Sequence, residues 1–95
     1  MPHPFIHFFS LATKPTYTQS SVPFVGTHVI VSNDDSTNHA EFSLDGGTTV
    51  HGQVLAGETL ELDDLRFATV DVRDYASGSA ATVRCWVTSK TAQQL

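Results

Sequence analysis

Five histidines, one cysteine and ten carboxylates are the groups in this chain with the most chemistry to offer. A zinc site needs Cys or His ligands at short, paired spacings. His3, His7, His28, His39 and His51 provide no such spacing, although His3 and His7 would share a strand face, and Cys85 has no second cysteine beside it. No metal is expected. The run Asp34-Asp35-Ser36-Thr37-Asn38 holds the oxygen ligands that calcium takes. It lacks the glycine and the terminal glutamate of a helix-loop-helix calcium site, so it reads as a solvated loop. A lone cysteine excludes an internal disulfide. Cys85 lies in Ala81-Thr82-Val83-Arg84-Cys85-Trp86-Val87, on the strand face of Val83 and Val87. It is expected to be a small buried hydrophobe and not a nucleophile.

Catalytic constellations are equally absent. No glycine-X-serine-X-glycine elbow occurs. Gly46-Gly47 is followed by no lysine and opens no helix, so it cannot cradle phosphate as a P-loop does. Asp63 and Asp64 are adjacent and would point to opposite faces of a strand, where they cannot share one substrate bond. The expectation is a non-enzyme with no catalytic residue and no cofactor.

Charge narrows the partners. The formal net charge is −5, and Lys14, Arg66, Arg73, Arg84 and Lys90 form no basic run. Nucleic-acid binding needs a cationic footprint, so it is not expected. No stretch is long and apolar enough for a membrane helix, and Phe5–Leu11 is too short, too interrupted by His7 and too poor in flanking basic residues for a signal peptide. Only 16% of residues are charged, against about 25% in an average domain. A surface built on Ser, Thr, Asn and Gln loses less on burial and suits assembly.

The elements that must position these residues are short strands. Pro2, Pro4, Pro15 and Pro23 all fall at the start of the chain; proline cannot donate to a ladder, so the segment 1–23 should be an edge strand or an extended arm. Within it, Phe5, Phe9 and Leu11 alternate with Ile6 and Phe8, so both faces are apolar. Such a strand is either covered on both sides within its own domain or packed by one face on a neighbouring subunit. Thr27–Ser32 is β-branched and reads as a central strand. Ala40, Phe42 and Leu44 alternate with polar residues up to Asp45-Gly46-Gly47, a positive-φ turn signal, and a second strand is expected through Thr48–Leu55. Ala56-Gly57-Glu58 turns the chain into Thr59–Leu62, and Asp63-Asp64 breaks the pattern. Arg66–Arg73 and Ala81–Thr88 follow, joined by Asp74-Tyr75-Ala76-Ser77-Gly78-Ser79. No window shows helical periodicity.

The last two strands are expected to pair as a hairpin. Matched from the loop, Val72, Val70 and Ala68 oppose Ala81, Val83 and Cys85 on the core face. The other face then sets Phe67 against Trp86 and brings Asp71 within diagonal reach of Arg84. Two large rings on a polar face are either a cross-strand pair, covered by a loop or by the segment 1–23, or an anchor for another molecule. The fold class expected is all-β: a small antiparallel β-sandwich, jelly-roll-like or Ig-like. It comprises an extended arm over 1–23, a sandwich over 24–90 and a flexible tail over 91–95. The residues expected at an interface are Phe5, Phe8, Phe9, Phe67 and Trp86. Removing residues 1–23 is expected to abolish association and leave the sandwich folded.

The stretch Glu41-Phe42-Ser43-Leu44-Asp45-Gly46-Gly47-Thr48, then Gly52-Gln53-Val54-Leu55-Ala56-Gly57-Glu58-Thr59-Leu60-Glu61-Leu62, then Ser77-Gly78-Ser79 before Ala80–Trp86, resembles small virion proteins of tailed bacteriophages, of the capsid decoration or cement type. The likeness lies in turn chemistry and runs from Asn33 onward; the segment 1–23 stands outside it. It implies a protein that binds the outer surface of an assembled shell as a symmetric homo-oligomer, a dimer or trimer, with the major capsid protein as partner. It also implies assembly in the host cytoplasm and residence on the capsid exterior. Two other readings stay open: a head–tail or tail-associated structural module, and a carbohydrate-binding module stacking sugars on Trp86, Phe67 and Tyr75.

Overall fold

The computed structural model describes residues 5–75 and 80–89. The loop signal Ser77-Gly78-Ser79 and the tail 91–95 lie outside the described residues. Eight strands run in order: β1 (Phe5–Ala12), β2 (Thr18–Gly26), β3 (His28–Asn33), β4 (Ala40–Ser43), β5 (Gly52–Val54), β6 (Thr59–Leu62), β7 (Phe67–Asp74) and β8 (Thr82–Ser89). They form two four-stranded antiparallel sheets, β1-β8-β3-β6 (sheet A) and β2-β7-β4-β5 (sheet B).

The pairs β1·β8, β2·β7, β3·β6 and β4·β5 are nested. They describe one long antiparallel hairpin, closed at the Asp45–Gly47 turn and rolled so that β3 also pairs with β8 and β4 with β7. That order is the jelly roll, the first of the two sandwich forms expected. Gly46 and Gly47 at that turn take φ of 77° and 96°, a region open to glycine at no steric cost. The strand expected through Thr48–Leu55 shrinks to Gly52–Val54.

The inner faces bury Val29, Val31, Val83, Cys85 and Val87 from sheet A, and Ala40, Phe42, Val54, Val70 and Val72 from sheet B. Thus β8 presents Val83, Cys85 and Val87 inward, as its alternation requires. Asn33 links the layers: its Nδ2 leaves β3 to donate to the Val54 carbonyl of β5, 3.0 Å away.

Three expectations are corrected. First, β7 and β8 do not pair; they lie in opposite sheets. Alternation fixes which face of a strand is buried and says nothing about which sheet holds it. Second, Phe67 is not across from Trp86. It is 5% exposed and sits in the core, beside the stretch where the β2·β7 register is irregular between Ser21 and Gly26, and Ala68 is the exposed residue in its place. Third, Asp71 and Arg84 are on different sheets and form no diagonal pair.

Of the two forms expected for the segment 1–23, its described residues take the edge strand. β1 flanks β8 and β2 flanks β7, and β2 runs through position 23 into Gly26. Removing residues 1–23 takes away edge strand β1 and most of edge strand β2, so the expectation from this pairing is a loss of stability and not an intact sandwich.

A candidate interaction surface on sheet A

Side chains on the solvent face of sheet A fall into rows set by strand register. Phe8 stands beside Trp86, Trp86 beside Ile30, and Ile30 beside Glu61. One row over, Ile6, Thr88 and His28 line up. Ile6 is 59% and Phe8 50% exposed. The Phe8 and Trp86 ring centroids are 5.2 Å apart at 44°, within the usual range for a tilted aromatic pair. An apolar stripe of Ile6, Phe8, Trp86 and Ile30 thus crosses three strands on a face that alternation would ordinarily make polar.

Polar groups bracket the stripe. On one flank Arg84 Nε and Nη2 donate to Asp34 Oδ2 and Oδ1 at 2.5 and 2.9 Å, and the guanidinium lies 5.1 Å from the Trp86 ring centroid. The Asp34 carboxylate holds the Arg84 pKa above its ordinary value. On the other flank His28 Nε2 is 2.6 Å from Glu61 Oε2 and His28 Nδ1 is 3.2 Å from Thr88 Oγ1. An apolar centre with a polar rim is the usual plan of a protein interface.

The outer face of sheet B is built differently, and Glu41, Ser43 and Asp71 on it are buried. Gln19, Asp71 and Ser43 form one row and Arg73, Glu41 and Gln53 another. Arg73 Nε donates to Glu41 Oε1, and its guanidinium covers the Tyr17 ring at 4.3 Å. Burial pushes the Asp71 carboxyl and the Tyr17 phenol upward. Sheet B satisfies most of its polar groups within the chain, and these rows carry no apolar stripe among the described residues.

The expected interface residues separate accordingly. Phe8 and Trp86 meet on the open face. Phe5 stands opposite Ser89 at the start of β1. Phe9 is half-buried and packs against the core from below, and Phe67 is inside it. Ile6 and Ile30 belong to the stripe and were missed as site residues. Ile6 was visible in the two-sided apolarity of Phe5–Leu11, whereas Ile30 was hidden in a run that reads as wholly buried. The sugar-stacking trio is dispersed: Trp86 is on sheet A, Phe67 is in the core, and Tyr75 follows β7 with its ring 6.3 Å from His39.

The remaining chemistry-bearing residues hold structure. His39 and His51 each accept a backbone N–H at Nδ1, from Ala56 at 2.8 Å and Leu44 at 3.0 Å. His7 Nε2 is 3.3 Å from Ser20 Oγ, between β1 and β2. The Asp34–Asn38 loop folds on itself, with Asp35 Oδ2 accepting from the Thr37 and Asn38 amides. Cys85 is buried and its thiol is pushed up to about 12 by desolvation. Among the described residues, no group of three or more His, Cys, Asp and Glu is placed to hold a metal ion.

No protein-family model and no curated protein matches the chain. Solved structures do. A de novo designed double-stranded β-helix is 20% identical, with 85% of this chain and 97% of that one covered at a TM-score of 0.55. The SPBc2 prophage-derived protein YomS is 15% identical, with 94% and 97% covered at 0.57. Hydroxypropylphosphonic acid epoxidase from S. wedmorenis, in complex with fosfomycin, is 5% identical at 0.56; 90% of this chain is covered, and it spans only 44% of that one. At these identities the likeness is one of fold. The chain is a compact all-β sandwich of the double-stranded β-helix type.

Proposed function

We propose that this chain is a non-enzymatic structural protein of a bacteriophage virion. In this reading it binds the outer surface of the assembled shell through sheet A and bridges neighbouring copies of the major capsid protein. The observation that carries the reading is the apolar stripe of exposed Ile6 and Phe8 with half-buried Trp86 and Ile30, which lies on the outer face of sheet A among the described residues. Single exposed apolar residues are ordinary; a contiguous, rimmed group with two aromatic rings marks a contact surface. Support comes from the turn motifs shared with decoration proteins and from the fold held in common with a prophage-derived protein.

The mechanism is linkage. A protein that binds the assembled shell and not its free subunits stabilises the assembled state by mass action. Each contact can be weak, because bridging several subunits with many copies sums the effect. The low density of charge lowers the desolvation cost of docking.

The test is co-sedimentation of the purified protein with shells of the phage or prophage that encodes it. Wild type is expected to pellet with shells and to raise their melting temperature. Phe8→Ser and Trp86→Ser should bind at least tenfold more weakly, the scale of one lost hot-spot residue. Equal binding by both variants, or binding to tails and connectors with shells left bare, would sink the shell reading; the second outcome would favour the head–tail alternative.

A further inference from the structure

We propose that two copies of this chain pair antiparallel along β1, about a two-fold axis normal to sheet A, in the register that sets Phe8 against Phe8 of the second copy. This interface is the backbone edge of β1, which borders the shell-facing stripe at Ile6 and Phe8, and it stands whether or not the shell reading does.

The first argument is which edges are guarded. Exposed sheet edges invite pairing, and proteins blunt them with short strands, prolines, charges and bulges. β5 has three residues and β6 four. β6 also carries Glu61 and runs into Asp63-Asp64. β2 contains Pro23 and its pairing is irregular between Ser21 and Gly26. β1 has none of these devices. It is eight residues long, and Phe5–Ala12 includes no proline, lysine, arginine, aspartate or glutamate. In a chain of net charge −5, this is an edge along which two copies can approach without setting carboxylates together.

The second argument is where the backbone groups point. Thr13 N donates to the Ala81 carbonyl at 2.8 Å, extending the β1·β8 ladder. Asp34 N donates to the Thr82 carbonyl at 2.8 Å, extending β3·β8. Hydrogen-bonded residues alternate along an antiparallel ladder. Odd-numbered residues of β8 therefore bond β1 and even-numbered ones bond β3, and the odd-numbered residues of β1 are the ones engaged. Ile6, Phe8, Ser10 and Ala12 direct N–H and C=O toward the open edge. Their side chains are also those on the solvent face.

A two-fold axis normal to the sheet keeps both solvent faces on the same side. Ile6 then opposes Ser10 of the second copy, Phe8 opposes itself, and the open donors and acceptors of Ile6, Phe8 and Ser10 meet in reciprocal pairs. The two apolar stripes become one belt, Ile30–Trp86–Phe8 continued by Phe8–Trp86–Ile30 of the second copy. The dimer presents twice the contact face of a single chain, on one side of the particle.

Sedimentation equilibrium and native mass measurement decide the matter. Wild type is expected at twice the 10.3 kDa chain mass. Ser10→Pro deletes an amide that the ladder directs away from β8, at an edge position where proline is tolerated. It should be monomeric with an unchanged circular dichroism spectrum. Ile6→Lys, an exposed substitution that guards the edge with charge, should also be monomeric and serves if the proline variant does not fold. Trp86→Ser alters the belt and leaves the edge, and should remain dimeric. A monomeric wild type, showing the edge closed by the chain's own ends or left unpaired, overturns the proposal. So does a dimer that survives Ile6→Lys, or one lost in Trp86→Ser and kept in Ser10→Pro, which would mean face-to-face contact. A dimer that ignores shells leaves this inference standing and removes the functional one.

Discussion

The Phe67 ring lies directly on the Gly26 backbone: a Cβ built at Gly26 would come within 2.6 Å of Phe67 Cζ and 2.8 Å of a Val87 methyl. Gly26 faces Phe67 across the β2·β7 ladder, just past its irregular stretch. The missing side chain makes the space that lets a large ring turn inward at the start of β7. Gly26→Ala is expected to cost about 1–3 kcal/mol, as overpacking does, and Phe67→Ala about 3–5 kcal/mol, as loss of a buried ring does. Urea midpoints measure both. An alanine at 26 as stable as the wild type would refute the close approach.

Asn33 makes a second joint between the sheets. It is buried at the end of β3, where Nδ2 donates to the Asn38 and Val54 carbonyls at 2.9 and 3.0 Å and Oδ1 accepts from the Asp35 amide at 2.9 Å. Asn33→Ala removes all three bonds and leaves the buried Val54 carbonyl without that donor. The expected loss is about 3 kcal/mol, from roughly 1 kcal/mol per net hydrogen bond plus desolvation. A loss below about 1 kcal/mol in thermal unfolding would show that other groups or water take over.

These joints mark what could and could not be read in advance. Turn chemistry located the strands well: Gly46, Gly47 and Gly57 all take positive φ, and Asp63-Asp64 ends β6. The inward face of β8 followed from the alternation of Val83, Cys85 and Val87. The partner of β8 did not, because a hairpin with β7 and a crossover to the other sheet need the same alternation. Phe67 then went to the wrong face, since a register slip between β2 and β7 leaves no mark in the β7 sequence. The interaction surface was half legible. The double-sided apolarity of β1 and the outward Trp86 were visible separately, but only the β1·β8 pairing brings Phe8 and Trp86 together.

Two aspartates give the fold opposite responses to acid. Asp45 accepts from Ser43 Oγ at 2.6 Å and the Thr49 amide at 2.9 Å, and these bonds lower its pKa from 3.8 to about 2. A depressed carboxyl stabilises the fold above its unfolded value, and that stability is lost as pH falls from about 4 to about 2. Asp71 is 4% exposed and raised above 3.8 by burial, against hydrogen bonds from Gln19 and Thr69, and its Oδ1 has no partner among the described residues. Its charged form is a liability, relieved as pH falls through its folded value. Asp71→Asn should therefore raise the melting temperature at pH 7, with the gain shrinking toward pH 3. Asp45→Asn should lower it at pH 7, with the deficit vanishing near pH 2. Parallel pH profiles for the two variants would contradict the assignment.

Cys85 separates a docked β1 from a detachable one. It stands between Phe9 of β1 and Val31 of β3 in the ladder. Its thiol is buried and held near 12, so at pH 8 almost none is the reactive thiolate. If β1 is a full member of sheet A, alkylation requires global unfolding. Labelling in rising urea should then follow the same transition as circular dichroism. If β1 peeled away as an arm, one wall over Cys85 would open while the sandwich persisted, and labelling would run ahead of unfolding. The two curves are expected to coincide. A thiol modified well below the circular dichroism midpoint would mean that β1 exchanges between edge strand and free arm, and that its open backbone groups are only transiently in place.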